Sequence, residues 1–209
     1  MIVSFFKDVG AARFPIATGL RVMMLPFLLQ DVNRSLPRHC RQYSRLVESM
    51  LEHAHVGAGV GYLTIDEAEV RDGETHRRPG IHVDGCGVWG RGGGYAYDGM
   101  LVAASDVGCQ AWTGVYDSEP GYDGDCEHLR REIGEPTVMQ AGRVYSCGGM
   151  TVHEALPMKA TTRRQFVRIS LPNDRDWHDG YTRNPEGIEP TGRVAARRVR
   201  QMSYRSASV

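Results

Sequence analysis

Three residues of this chain are of types that hold a transition metal. His82 and Asp84 stand two apart in Ile81-His82-Val83-Asp84. In an extended strand, side chains two apart leave the same face, so an imidazole and a carboxylate are presented towards one point. An H-x-D pair alone carries little weight. Sixty-nine residues after Asp84 comes His153, inside the strand-like run Met150-Thr151-Val152-His153-Glu154-Ala155-Leu156. Two imidazoles and one carboxylate on one side of an ion suit iron(II) and leave positions open for a bidentate oxo-acid and for dioxygen. Fifteen residues beyond His153, Arg168 opens Arg168-Ile169-Ser170. A guanidinium on a neighbouring strand offers a two-pronged grip on a carboxylate, and Ser170, two residues on, shares its face.

Strands must position these groups. Tyr62 to Ile65, Ile81 to Asp84, Met100 to Ala104, Gln110 to Val115, Met150 to Leu156 and Arg164 to Leu171 are short, β-branched or apolar, and separated by glycine- and proline-bearing turns. Pro37 to His55 predicts a helix, with Ser35 as a possible cap and Tyr43, Leu46, Val47, Met50 and Leu51 at helical spacing. A helical N-terminal part followed by many short strands predicts a β-barrel or sandwich with helices packed on one side.

Composition narrows the class. The chain has 209 residues, enough for one domain with a substantial core. Basic and acidic residues number 25 each, so no global field draws in nucleic acid or a membrane surface. Five cysteines, an odd number without a C-x-x-C pair, argue against a disulfide framework and a zinc ribbon, and favour a reducing, intracellular and cytoplasmic setting. Leu20 to Leu29 is about half the length of a membrane helix, and Arg13 and Arg21 interrupt any leader-like apolar stretch, so no membrane partner is expected.

The order H-x-D, distal His, then R-x-S resembles the iron(II)/2-oxoglutarate-dependent dioxygenase superfamily, in particular its prolyl-hydroxylase-like branch. Gly80 to Asp84 looks like the metal strand; Thr151 to Glu154 and Arg164 to Ser170 look like the closing strands. The likeness covers roughly Tyr62 to Pro172. It implies a mainly β fold with flanking helices, a double-stranded β-helix of the jelly-roll or cupin kind. One oxygenase-like domain would span 1–192, with a helical part over about 1–60, the β-helix core over about 61–172, and an Arg-rich tail at 193–209. It also implies Fe(II) on His82, Asp84 and His153, with 2-oxoglutarate held by Arg168, Ser170 and Tyr62, and O2 as oxidant. The gap between His153 and Arg168 is longer than the family usually shows, which leaves Arg163 and Arg164 as rival anchors. The implied reaction is hydroxylation or demethylation of an unidentified substrate, with release of succinate and CO2. A protein side chain or a small molecule is favoured as that substrate.

Other residues are weighed against blander roles. Arg78, in His76-Arg77-Arg78, could steer an anionic substrate to the barrel mouth, though a solvated loop accounts for that run better; Trp89, Arg91 and Tyr95, on the glycine-rich stretch after Asp84, suit a substrate-region lid and a structural role about equally. His53 and His55 diverge if helical. Asp117, Glu119, Asp123 and Asp125 lack EF-hand spacing and read as an acidic surface loop. The Arg-rich tail leaves a nucleic-acid substrate possible. The alternatives are a non-catalytic jelly-roll structural or binding protein, or a cupin with another metal.

Overall fold

The computed structural model describes residues 1–84, 99–171 and 177–195. Strands β1 (Ile2–Ser4), β2 (Phe6–Ala11) and β3 (Arg21–Leu28) come first, followed by helices α1 (Val32–Ser35) and α2 (Ser44–His53). The β core then runs through β4 (Val60–Val70), β5 (Gly99–Ala104), β6 (Cys109–Trp112), β7 (Gly114–Tyr116), β8 (Thr137–Val138), β9 (Arg143–Gly148), β10 (Val152–Ala155) and β11 (Thr162–Ser170). Strands β12 (Trp177–His178) and β13 (Val194–Ala195) form a short parallel pair.

The larger sheet has the order β2-β9-β5-β11-β4-β3, antiparallel throughout. The smaller has the order β10-β6-β8, and His82 adds to its edge by bridging His153. Between β4 and β11 the chain therefore passes back and forth between two facing sheets: β4, β5, β9 and β11 lie in the larger, while the His82 segment, β6, β8 and β10 lie in the smaller. That alternation is the double-stranded β-helix, and the fold is of the jelly-roll kind expected.

The period of two assigns the faces. Val167 and Ile169 of β11 join Leu63, Ile65, Leu101, Ala103 and Val144 in the main apolar core. Helix α2 covers that face with Leu46, Val47, Met50 and Leu51, each worth roughly 1.5–3 kcal/mol if fully buried. The alternate residues of β11, Arg164, Phe166, Arg168 and Ser170, look into the space between the sheets. A second core of Ile81, Val83, Trp112, Leu129, Ile133 and Val152 lies outside the smaller sheet. Both sheets thus bury apolar residues outwards, while the space between them mixes polar groups such as Arg164 and Arg168 with an apolar cluster of Ala111, Met139, Tyr145 and Cys147.

The first sixty residues depart from a helical reading. Alongside α2 they supply β2 and β3 to the two edges of the larger sheet. The predicted helix starts later as well: Pro37 leads into a 3-10 turn, Arg38–Tyr43, before α2, and Ser35 belongs to α1. No helix among the described residues is long and apolar enough to cross a membrane.

Candidate metal centre

His82 and His153 face each other as an antiparallel pair. The His82 amide donates to the His153 carbonyl at 2.9 Å, and the His153 amide returns the bond at 3.0 Å. On its other side the His82 segment is held by Val83 N–H to Gly124 O at 2.9 Å and Cys126 N–H to Ile81 O at 2.8 Å. Two glycines allow this. Gly80 has φ +81°, and a Cβ there would meet the Glu127 carboxylate that accepts from the Ile81 amide. Gly124 has φ +77°, and a Cβ there would sit 2.2 Å from the Val83 carbonyl oxygen. A side chain at Gly124 would push the His82 segment off its partner.

Inside this frame, donor atoms of His82, Asp84 and His153 all lie within 4.8 Å of one another, the one such metal-capable group among the described residues. His82 Nε2 is 3.9 Å from Asp84 Oδ1, and the two imidazole centroids are 4.3 Å apart. Ligand bonds of roughly 2.0–2.2 Å put neighbouring ligands on one face of an ion about 3 Å apart, so these donors would have to close by about 1–2 Å to hold one together. Each imidazole Nδ1 lies beside a backbone carbonyl: Gly80 O at 2.7 Å for His82, Thr151 O at 2.9 Å for His153. A carbonyl only accepts, so the proton sits on Nδ1 and the Nε2 lone pair faces the centre. That is the tautomer a metal requires.

The charges agree. Burial, reinforced by His153, pushes the pKa of His82 down to about 4, keeping the ring neutral at physiological pH. Burial pushes the Asp84 carboxyl upwards. Arg168, the two histidines and Arg77 outweigh it and hold the group below the usual carboxylate range. Arg168 Nη1 donates to Asp84 Oδ2 at 2.8 Å, leaving Oδ1 on the histidine side. A neutral His82, the His153 imidazole and an ionised carboxylate make a donor set that fits a divalent ion.

A cavity opens from this centre between the sheets. Its wall runs from His153 and Thr151 past Cys109, Val102 and Phe166 to Arg164. Arg164 is 2% exposed. Its Nε donates to Asp106 O at 3.2 Å and its Nη1 to His76 Nδ1 at 3.0 Å; neither bond uses Nη2. The guanidinium lies about 3.0 Å from where a Cβ on Gly108 would be. Behind it, His76 Nε2 approaches Asp66 Oδ2 at 3.6 Å, and Asp66 also takes Arg77 and Arg21 at 2.8 Å each. Burial would raise the Asp66 carboxyl, but His76, Arg77 and Arg21 keep it ionised, below the usual range.

The sequence-derived candidates are distributed as follows. His82, Asp84 and His153 come together. Arg168 adjoins them through Asp84, and Ser170 follows on the same face. The Tyr62 hydroxyl turns to Thr191, exchanging contacts with its Oγ1 at 3.0 Å and its amide at 3.1 Å. Arg78 donates to Asp123 O at 2.7 Å, away from the centre. Trp89, Arg91 and Tyr95 lie outside the described residues, as does most of the Arg-rich tail. Sequence reasoning did not single out Asp66, and weighed His76 only within a run considered for steering substrate. Asp66 had a readable signal: it alternates with Leu63 and Ile65 and so faces inwards with Thr64. Nothing local marks His76 as its partner.

No family model matches the chain, and no curated protein matches it. Among solved structures it is similar to EvdMO1, at 16% identity and TM-score 0.37, covering 54% of this chain and 26% of that one. It is similar to AviO1 from Streptomyces viridochromogenes Tue57, at 14% identity and TM-score 0.42, covering 86% and 78%. A third is an oxidoreductase of the 2OG-Fe(II) oxygenase family from Burkholderia pseudomallei, at 13% identity and TM-score 0.36, covering 91% and 72%. The chain spans about a quarter of the length of EvdMO1 and about three quarters of the other two. The functional reading rests on the site itself.

Proposed function

We propose that this protein is a non-haem iron(II), 2-oxoglutarate-dependent oxygenase acting on an unidentified substrate. The observation that carries the reading is the convergence of His82, Asp84 and His153, both imidazoles locked with Nε2 inwards, at the mouth of a cavity that ends on a buried guanidinium. Bound iron with 2-oxoglutarate and O2 would supply the oxidation: one oxygen atom enters a substrate C–H bond, the other enters succinate, and CO2 leaves. His82, Asp84 and His153 would hold the ion on one face. His76 and Asp106 fix the Arg164 fork against the cavity wall. The apolar lining from Val102 and Phe166 keeps water from that wall.

The anchor for the far carboxylate of 2-oxoglutarate is Arg164 in this reading, in place of Arg168. The cofactor chelates through its first two carbons, and two methylenes separate these from the far carboxylate. Its anchor must therefore stand well away from the metal. Arg168 bonds to a metal ligand directly and is too close. Arg164 is four residues, two strand repeats, further along β11, in the wall of the cavity that begins at His153.

The test is anaerobic titration of the purified protein with Fe(II), then 2-oxoglutarate, followed by visible absorption. A charge-transfer band that requires both additions and is missing in His82→Ala supports the reading. A folded protein that gives no band at any iron loading refutes it in favour of a non-catalytic jelly roll. Metal binding without any response to 2-oxoglutarate favours a cupin with other chemistry.

A further inference from the structure

Met24 is the most unusual residue near the centre. It has φ +50°, a backbone conformation that is costly for a side-chain-bearing residue. It lies where the β3–β4 register shifts between Val22 and Leu25, a bulge in the edge strand. The surroundings pin it there. Its amide donates to Thr64 Oγ1 at 3.1 Å, and its carbonyl accepts from Trp177 Nε1 at 2.9 Å. Neighbouring Met23 exchanges bonds with Thr182 through both its amide and its carbonyl. Bulges beside sites re-aim a side chain. Here the re-aimed group is the Met24 thioether, which enters the space beside Arg168.

Two strong donors converge on that sulfur. Arg168 Nη2 reaches it at 3.8 Å and Ser170 Oγ at 3.7 Å. A thioether is a weak acceptor. Arg168 Nε is buried without any hydrogen-bond partner, and Nη1 alone is well used, on Asp84. The Nε edge of a guanidinium and a hydroxyl two residues along one strand face form a cradle for an oxyanion, in which a sulfur atom stands as placeholder. The local charge points the same way. Arg77, Arg164 and Arg168 face inwards against Asp66 and Asp84. Arg77 is destabilised in its charged form first by burial and then by Arg168. Once Asp84 is committed to a metal and Arg164 to the 2-oxoglutarate carboxylate, Arg168 is the guanidinium short of a counter-charge.

We propose that Arg168 and Ser170 form the seat of an oxyanion group on the substrate, beside the metal, and that the Met24 thioether occupies this seat until the substrate displaces it. The inference rests on the oxygenase reading for its chemistry, and it names the substrate class: a molecule carrying a carboxylate, sulfate or phosphate close to the oxidised carbon. Arg168 is then a specificity-determining residue that links the bound anion to the ligand Asp84.

The experiment compares two isosteres of the placeholder in the full chain. Met24→Glu supplies the oxyanion from within the protein, and Met24→Gln controls for shape and polarity. With Mn(II) bound, Met24→Glu should melt roughly 3–6 °C above Met24→Gln. In parallel, sodium sulfate and sodium propionate are titrated calorimetrically into wild type, Arg168→Gln and Met24→Glu. Wild type should bind at least one of them, with affinity about tenfold weaker in Arg168→Gln and lost in Met24→Glu. The preferred anion tells a tetrahedral group from a planar carboxylate. The proposal is overturned if Met24→Glu melts at or below Met24→Gln, or if Arg168→Gln binds both anions as wild type does. The same measurements are made on metal-free protein. Failure to take up Mn(II) or 2-oxoglutarate sinks the oxygenase reading, while the Glu-to-Gln difference and anion binding still report on the seat.

Discussion

Replacing Arg164 by Gln separates the two arginines of β11 most sharply. Arg164 has two donors spent on the protein, Nε on Asp106 O and Nη1 on His76, and its Nη2 is free of both. A carboxylate at the end of the cavity would take Nη2 and the full charge of a residue that is 2% exposed. Gln is shorter and neutral, so both the bond and the charge are lost. A hydrogen bond to a charged group contributes about 1.5–3 kcal/mol; at the upper end, this is roughly a hundredfold in the dissociation constant for 2-oxoglutarate. The metal set does not include Arg164, so Mn(II) affinity should stay within about threefold. Calorimetric titration of the Mn(II)-loaded variant with 2-oxoglutarate measures the first quantity, and Mn(II) titration of the metal-free variant measures the second. Arg164→Lys, which keeps the charge but loses the fork, should fall between. The reasoning is refuted if Arg164→Gln binds 2-oxoglutarate like wild type while Arg168→Gln does not.

Three further outcomes follow from the same geometry. The lowered pKa of His82 makes its neutral form part of the fold. The unfolded chain binds this proton from pH 6.5 downwards and the folded chain only near pH 4, so stability is full above about 6.5 and falls through that window, by about 3 kcal/mol at its lower end; urea midpoints from pH 4 to 8 measure this, and His82→Gln should flatten the acid limb. Asp66→Asn removes the carboxylate shared by Arg21, Arg77 and His76, and should cost about 3 kcal/mol, the low end for breaking a buried pair because Arg21 and Arg77 keep access to water; an unchanged melting temperature would count against that network. Gly124→Ala drives a Cβ into the Val83 carbonyl, so Mn(II) affinity should fall together with stability, whereas the exposed Gly187→Ala, with open space around it, should leave metal affinity alone.

Much of the centre was legible in sequence because it depends on local rules. The period of two turns His82 and Asp84 to one side and Ile81 and Val83 to the other, and the structure keeps that assignment. The same period placed Arg164, Arg168 and Ser170 on one face of β11, and the helical spacing of Leu46, Val47, Met50 and Leu51 named the face that α2 buries. Glycine turns between short apolar runs indicated a β-barrel or sandwich, and the order H-x-D, His, R-x-S implied a jelly roll by resemblance. What sequence could not give was pairing at a distance. Whether Arg164 or Arg168 stands beside Asp84 depends on the register of β11 against β4 and β5, which long-range ladders set. Arg21 to Leu28 had to become an edge strand, since only the partner β4 makes extended backbone preferable to helix there. The Tyr62 hydroxyl finds Thr191 across 129 residues, and His76 reaches Asp66 and Arg164 from a loop with no periodicity. The left-handed Met24 has no local signal at all. Its conformation persists because Thr64 of β4 and the segment 177–182, which bonds Met24 and Met23, hold it there, and only the folded chain brings these two distant parts together.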